Sequence, residues 1–551
     1  MTDPLIERTA SAYTYPLLIK NLLFHPVVNN RDQEIVYRDR LRYDYQTLHE
    51  RIQRLANALR KLGVRPGDTV AVMDWDSHRY LECFFAAPMI GAILHTINVR
   101  LSPEQILYTI DHAEDDILLV HDDFLPILAT IKGRIDAVRD YVRLTDGGEP
   151  EPKVVSFAGE YEALLAAAEP TCDFPDLDEN TRATTFYTTG TTGMPKGVYF
   201  SHRQLVLHTL GVLVAVGTPK TQGRLHQQDV YMPITPMFHV HAWGLPYVAT
   251  SLGIKQVYPG RYAPEMLLRL IKTEGVTFSH CVPTILQMLL HSPMIDQVDL
   301  SHWKVILGGA ALSQTLCLAA LERGIDIFAG YGMSETCPVV ALAHVPQEHL
   351  DRPVQEQVKM RCKTGRPLPL VSMKLVDEAM EAIPADGQTS GEIVLRAPWL
   401  TQGYLKDHHT SEQLWRGGYL HTGDVANTDA QGYFKITDRA KDVIKIGGEW
   451  VSSLEIEDIL GQHPAVAEVA VIGMPDEKWG ERPLALVVPG ETVPTERDLV
   501  AYVKRIVDSG VLSRHALTLR VKRVEEIAKT SVGKMDKKLL RQRHLKQTGP
   551  V

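Results

Sequence analysis

The segment YTTGTTGMPKG, Tyr187 to Gly197, gathers three glycines, four threonines and one lysine between the apolar strings ATTFY and GVYF. Glycines let backbone N–H groups come close to an anion, threonine hydroxyls donate to phosphoryl oxygens, and Lys196 adds a point charge. Such a loop can cradle phosphates. It does not fit GxxxxGK[ST], because Pro195 precedes Lys196, Gly197 follows it, and no helix starts at the lysine. Read alone, it is also compatible with a polar hairpin. Further along, single groups able to do chemistry stand in short polar or glycine-rich strings: His239 in TPMFHVHAWG, Glu335 in GYGMSETCP, Asp424 in YLHTGDV and Lys534 in KTSVGK. Each also has an ordinary reading. Glu335 could be a surface carboxylate, Asp424 a turn former, Tyr331 a core ring, and Lys534 one of several neighbouring cations.

The elements around these groups alternate in period. Leu48, Ile52, Leu55, Leu59 and Leu62 form an amphipathic stripe from Tyr45, closed by Gly63 as a helix stop. GDTVAVMDW reads as a strand, Ser77 to Met89 as a helix and GAILHTIN as a strand. Ser102-Pro103-Glu104-Gln105 is a capping box with proline in the first helical position. ILLVHD follows as a strand. This α/β alternation runs to about residue 350. VSMKLVD, GEIVLRA and GYFKITD then predict a smaller β-rich subdomain ending near Asp438. Beyond it, a capped helix from Ser452, the strands AEVAVIGM and PLALVVPG and the helix RDLVAYVKRIV predict a separate α+β unit. The basic end, GKMDKKLLRQRHLK, reads as a solvated helix. No internal repeat or low-complexity tract is visible.

A chain of 551 residues exceeds one hydrophobic core. Its 44% hydrophobic and 23% charged composition is that of a globular protein. With 58 Lys+Arg against 67 Asp+Glu, the net charge of −9 argues against a nucleic-acid partner. Cys83, Cys172, Cys281, Cys317, Cys337 and Cys362 show no metal-like spacing and are expected reduced and mostly buried, which fits a cytoplasmic location. The opening MTDPLIERTASAY lacks a signal pattern, and no run nears the ~20 apolar residues of a spanning helix, so neither secretion nor integral membrane association is expected.

YTTGTTGMPKG resembles the phosphate-loop signature of the adenylate-forming superfamily, which comprises acyl-CoA synthetases, peptide-synthetase adenylation domains and firefly-type luciferases. Strings similar to other family motifs follow in order: TPMFHVHAWG, GGAAL (308–312), GYGMSETCP, YLHTGDV, DRAKDVIKIGGEWVSSLEIE (438–457) and KTSVGK. The resemblance implies an α/β protein with a large N-terminal domain, 1–438, of α/β and β subdomains. A hinge at 439–441 and a small mobile C-terminal α+β lid, 442–551, would follow.

It also implies roles. Thr188, Thr189, Gly190, Thr191, Thr192, Gly193 and Lys196 would hold the phosphates of ATP. Glu335 and Thr188 would hold Mg²⁺, and Thr336 would sit near the α-phosphate. Gly308, Gly309 and Ala310 resemble the strand end beside adenine, and Tyr331, between Gly330 and Gly332, the ring that stacks on it. Asp424 would accept from the ribose hydroxyls, assisted by Arg439. Lys534 resembles the lysine that reaches the reacting carboxylate and α-phosphate, although Ala528 stands where the family often has proline. His239 falls among the catalytic positions. Lys441 resembles the hinge residue, Lys445 and Trp450 residues that close over the nucleotide, and Gly447 and Gly448 the pantetheine passage.

Activation of a carboxylic acid as an acyl-adenylate, followed by transfer to coenzyme A, is the implied reaction. The nearest resemblance is to bacterial medium- and long-chain fatty acyl-CoA synthetases, with Trp243 as a tunnel gate; short, methylthio-alkanoic and aryl acids stay open. Partners expected are the acid, ATP and coenzyme A, with a homodimer open. An ADP-forming phosphotransferase or acyl-phosphate former, and a non-catalytic binding protein, are the competing classes.

Overall fold

The computed structural model describes residues 6–147, 153–188, 194–446, 449–490, 492–508, 512, 514–530 and 535–545. Among the predicted site residues, Thr189, Gly190, Thr191, Thr192, Gly193, Gly447, Gly448 and Lys534 lie outside the described residues, as does the side chain of Trp450.

Two largely parallel sheets form the large N-terminal domain. The first has seven strands in the order Phe157–Glu160, Asp140–Leu144, Asp115–His121, Thr69–Met73, Ile93–Thr96, Arg182–Tyr187, Gly197–Ser201. Only its last pair is antiparallel, so the candidate phosphate loop joins two neighbouring strands at the sheet's edge. The second has nine strands. Lys304–Leu307 and Asp326–Gly332 run parallel in it, and the latter turns into antiparallel Val339–Leu342. The expected helices are present. Tyr45–Lys61 is capped by the Asp44 side chain, and Gly63 just beyond it takes φ +85°, as a helix stop requires. Pro103–Ala113 carries the reciprocal Ser102/Gln105 capping box. Every residue of His78–Met89 is buried, which explains its near-continuous apolar and aromatic content.

A four-stranded antiparallel sheet follows, Ser372–Val376, Gly391–Arg396, Leu420–Thr428 and Phe434–Arg439. The small C-terminal domain has its own sheet, built on the long hairpin Val466–Asp476 and Gly480–Pro489. Successive residues of the first hairpin strand serve opposite cores: Val469 and Val471 pack with Ile456 and Leu460, while Ala470 and Ile472 pack with Ile527 and Leu540. Helices thus cover both faces.

The terminal helix, Lys537–Leu545, departs from the solvated reading. Lys537 is buried and its Nζ lies 2.7 Å from Glu457 Oε1 and 2.6 Å from Ser453 Oγ. Its place one helical turn before buried Leu540 explains this: both face inward. Among the described residues no helix is long and apolar enough to cross a membrane. All six cysteines are free, and Cys172 and Cys362 are half-buried.

Candidate active site

Thr188 and Lys196, at the two ends of the candidate phosphate loop, hold each other by backbone and side chain. Thr188 N donates to the Lys196 carbonyl at 2.9 Å, and Lys196 N to Thr188 Oγ1 at 3.4 Å. The hairpin geometry therefore persists to the loop's base. Gly197 has no room for a Cβ, which would meet Leu405 Cβ at 3.0 Å. That contact brings residues 401–407 against the base of the loop.

Glu335 lies in a single turn of 3-10 helix, Ser334–Thr336, at the end of Asp326–Gly332. It is 7% exposed, and no lysine, arginine or histidine among the described residues pairs with it. Its side-chain hydrogen bond comes from the Tyr404 hydroxyl, which donates to Oε1 at 2.6 Å. A buried carboxylate without a cationic partner is costly unless a metal ion supplies the charge. Mg²⁺ takes one or two carboxylates and completes its shell with phosphate oxygens and water, so this donor set fits Mg²⁺ better than an all-protein cage. Thr336 is fully buried, and its hydroxyl is engaged by the Met333 and Pro338 carbonyls. In this state the α-phosphate contact expected of it would have to come from elsewhere in the turn.

On the other side of the same strand end, the Tyr331 hydroxyl donates to Asp424 Oδ2 at 2.7 Å. Asp424 is 6% exposed, and Arg439 Nε lies 3.3 Å from its other oxygen, Oδ1. Asp424 and Arg439 are direct partners in the antiparallel register, which is why fifteen residues of sequence separation vanish. Burial and the neighbouring Asp424 charge push the Tyr331 phenol well above its ordinary pKa, so it stays a donor. Arg439 is the last residue of a sheet strand, not part of a free linker; the turn proper begins with Ala440, whose N–H donates to the Gly423 carbonyl. Lys441 follows on that turn, with its ammonium pKa lowered first by desolvation of the amine and then by the neighbouring Arg439 charge. Lys445 lies on the short strand Ile444–Ile446, opposite Trp450 in register.

Glycines shape the strand ends. At Gly332 a Cβ would collide with the Pro338 carbonyl; at Gly330 it would meet Ile306 at 2.7 Å. Gly309 takes φ +78°. Gly308 leaves no space for a Cβ, which would lie 2.8 Å from the Gly330 carbonyl oxygen and 2.9 Å from Trp243 Cη2.

Trp243 closes a cavity of ≈ 20 Å³ lined by His239, Gly309, Arg100, Tyr262, Thr235 and Ile285 among others, room for about one water. The segment holding it is unusual: Val240, His241, Ala242 and Trp243 all have positive φ, between 48° and 60°, and Gly244 continues at 74°. Left-handed backbone costs non-glycine residues roughly 1–2 kcal/mol each, so the turn must be held from outside. His241 does part of this, its Nε2 2.8 Å from Thr184 Oγ1. Burial lowers the pKa of His241, and that of His280 beneath the indole, to about 3, so both are neutral wedges and not acid–base groups. Behind Trp243 lies a packed apolar cluster including Val212, Val216, Phe278, Ile306, Phe328 and Leu342.

At one wall of the cavity Tyr262 donates to buried Asp76, which also accepts from Met237 N at 2.8 Å. Burial pushes Asp76 up to about 7. Sequence reading missed Asp76, Tyr404 and Lys537. The first two stand in unremarkable strings; only Lys537, by helical spacing to Leu540, left a signal.

Residues 23–405 match the family described as AMP-binding enzyme, and residues 455–534 the family described as AMP-binding enzyme C-terminal domain. The chain is 40% identical over 507 residues to a long-chain-fatty-acid–CoA ligase of Thermus thermophilus, covering 91% of this chain and 90% of the relative. It is 37% identical over 539 residues to a 3-methylmercaptopropionyl-CoA ligase of Ruegeria lacuscaerulensis, covering 96% and 97%. Among solved structures, the anthranilate CoA ligase AuaEII in complex with anthranoyl-AMP superposes with a TM-score of 0.83 at 26% identity, covering 96% of this chain and 98% of that one.

Proposed function

The chain belongs to the AMP-binding enzyme family and is an AMP-forming acid–CoA ligase; from that premise we propose that its acid is a medium- or long-chain fatty acid and that the residues above divide the work as follows. The observation that carries the assignment is the pair of clusters flanking one strand end: Glu335, Tyr404 and Lys196 on one side, Tyr331, Asp424 and Arg439 on the other.

Asp424 accepts from the ribose hydroxyls. Each of its oxygens already has one protein partner, and a carboxylate oxygen has a second lone pair to offer. Gly309, Ala310, Gly330, Tyr331 and Gly332 form the adenine wall. Thr188 to Gly193 and Lys196 hold the phosphates, and Glu335 with Thr188 holds Mg²⁺, which when bound neutralises phosphate charge as pyrophosphate departs. Thr336 serves the α-phosphate through its turn. His239, on the cavity wall, faces the acid's reactive end. Lys534 stabilises charge on the reacting carboxylate and α-phosphate, where a preorganised cation has its largest effect. Domain boundaries of 1–438 and 442–551 with a hinge at 439–441 let the lid turn about Lys441. Lys445 and Trp450 then close over the nucleotide, and Gly447 and Gly448 leave room for pantetheine. The free cysteines suit a reducing, cytoplasmic setting.

An apolar acyl chain is favoured because the side chains packed around Trp243 are aliphatic and aromatic. With the indole closed, the ≈ 20 Å³ cavity admits almost nothing, so the acid must displace Trp243. A methylthio-alkanoic acid is the second reading, since a relative spanning nearly the whole chain carries that name.

Nucleotide products across acids from acetate to palmitate, with benzoate and 3-methylthiopropionate included, test both readings. AMP formed fastest with eight or more carbons supports the fatty-acid reading, and a maximum at the methylthio acid replaces it. Lys534→Ala should abolish adenylation yet spare thioester formation from supplied acyl-adenylate. Gly447→Leu should do the reverse. Equal loss of both half-reactions in either variant removes its assignment.

A further inference from the structure

Residues 401–407 form a short loop pinned at both ends to the two halves of the phosphate site. Thr401 N donates to the Glu335 carbonyl at 3.0 Å, and Leu405 N to the Gly197 carbonyl at 2.8 Å. Between these anchors Tyr404 bridges to Val198 and receives its own support from Ser411, whose Oγ accepts from Tyr404 N at 2.8 Å. Asp407 closes the loop by capping the helix His408–Leu414 through Thr410 N. The loop is thus fixed to the strand after the phosphate loop and to the turn that carries Glu335.

The Tyr404 side chain spans the space between them. Its hydroxyl donates to Glu335 Oε1 at 2.6 Å, and the Lys196 ammonium lies 4.6 Å from its ring centroid. That hydroxyl donor restricts the carboxylate's rotation and takes one lone pair of Oε1, leaving Oε2 free of this bond for a further ligand. A ring face against an ammonium restrains Lys196 without neutralising it, which an acidic neighbour would do.

We propose that Tyr404 is a positioning residue that sets Glu335 and Lys196 in register, orienting the carboxylate for the divalent cation and the lysine for the phosphates through one side chain. The proposal rests on the reading of Glu335 as the metal carboxylate. Outer-sphere donors to a metal-binding carboxylate change metal affinity by about ten- to a hundred-fold when removed. A purely structural tyrosine would change stability and leave the metal dependence alone.

The test is equilibrium binding of ATP to the full-length protein, with and without Mg²⁺ and without acid or coenzyme A, alongside thermal midpoints. Tyr404→Phe, which keeps the ring and loses the hydroxyl, should raise the Mg²⁺ concentration for half-maximal enhancement of ATP binding about ten-fold or more, leaving metal-free binding near the parent's. Tyr404→Leu should in addition weaken metal-free binding, because Lys196 loses its ring. Glu335→Gln should abolish the Mg²⁺ enhancement, and adding Tyr404→Phe to it should cost nothing further. Parent-like Mg²⁺ dependence in Tyr404→Phe, with Glu335→Gln impaired, overturns the role of Tyr404 alone. Equal weakening with and without Mg²⁺, or additive losses in the double variant, does the same. Parent-like Mg²⁺ dependence in Glu335→Gln overturns the Glu335 reading and this proposal with it.

Discussion

Replacing Lys537 with methionine should loosen the small domain and impair the first half-reaction more than the second. Lys537 Nζ sits between Glu457 Oε1 and Ser453 Oγ, and Ser453 Oγ donates onward to Asp438 Oδ2 at 2.6 Å, so one ammonium joins the terminal helix, the helix Ser453–Gly461 and the residue before the proposed hinge. Both ion-pair side chains are about one-tenth exposed, at 9% and 10%. Removing one partner of such a buried pair typically costs about 3–5 kcal/mol. Glu457 can limit this by taking up a proton: from an ordinary pKa of about 4.3, discharge at pH 7 costs about 3.7 kcal/mol at 1.36 kcal/mol per unit. The expected loss is therefore about 3–4 kcal/mol at neutral pH.

The sign of its pH dependence is fixed as well. Burial already pushes the Glu457 carboxyl up, and Lys537 pulls it back down. Without the lysine the folded-state pKa rises further above the unfolded one, so the folded form binds the extra proton. Stability of the variant is then greatest below the ordinary carboxylate range and falls as pH rises toward the new folded value. Amide hydrogen exchange over Ser453–Gly461 and Val466–Asp476 between pH 5 and 8 measures it. Because Lys534 lies three residues upstream, adenylation should fall several-fold more than thioester formation from supplied acyl-adenylate. Exchange protection within about 1 kcal/mol of the parent, or protection that grows with pH, would refute the reasoning.

Other perturbations follow from the site. Trp243→Ala removes the indole from Gly308 and should shift kcat/KM toward longer acids in a series from butyrate to palmitate, with a stability cost of about 3–5 kcal/mol; an unchanged chain-length profile counts against the gate. Tyr331→Phe deletes the 2.7 Å bond to Asp424 and should raise the KM for ATP roughly ten-fold with little change in kcat, whereas a pure kcat effect would mean that Asp424 is not a ground-state ribose contact. Asp76, pushed up to about 7 by burial, favours its protonated form in the folded state, so its contribution to stability is full below the ordinary carboxylate range and is lost as pH rises through about 7. Asp76→Asn should flatten denaturant midpoints between pH 6 and 8, and a slope equal to the parent's would show that another group titrates there.

Local periodicity and capping chemistry decide whether a segment is a helix or a strand, and both are written in consecutive residues. That is why the Ser102 capping box, the Asp44-to-Lys61 helix with its Gly63 stop and the alternating strands were legible. Glu335, Asp424 and Lys196 are candidates because each stands in a motif string. What those strings omit is the partner that holds each group. Tyr404 meets Glu335 across 69 residues, Tyr331 meets Asp424 across 93, and Lys537 meets Ser453 across 84. Such contacts depend on sheet order and register, which no local pattern encodes. Arg439 differs only in reach: the hairpin between it and Asp424 pairs the two residues directly in antiparallel register, whereas its expected role comes from the family resemblance.

The same distinction bears on how the site can work. Asp424 and Tyr331 are placed by ladder register, and Glu335 by a turn held by Thr401 and Tyr404, so within the large domain their geometry is fixed by contacts that do not involve the small one. Lys441, Lys445 and the segment carrying Lys534 lie beyond the last strand of that scaffold, tied to it near the boundary through Asp438 and Ser453. On the proposed assignment, a nucleotide held by these groups would stay in place while the cations of the small domain are withdrawn and the thiol path is brought in. The Asp438–Ser453–Lys537 chain is short, buried and adjacent to the proposed pivot, and the Ser452–Thr437, Lys435–Glu455 and Gln314–Asp458 contacts cross the same boundary, so rotation about 439–441 would carry Ser453 and Lys537 together while these contacts and the bonds to Asp438 are remade. Switching about the proposed pivot would then require this set of boundary contacts to be remade together, with free energy that a ligand's differential affinity for the two arrangements must supply.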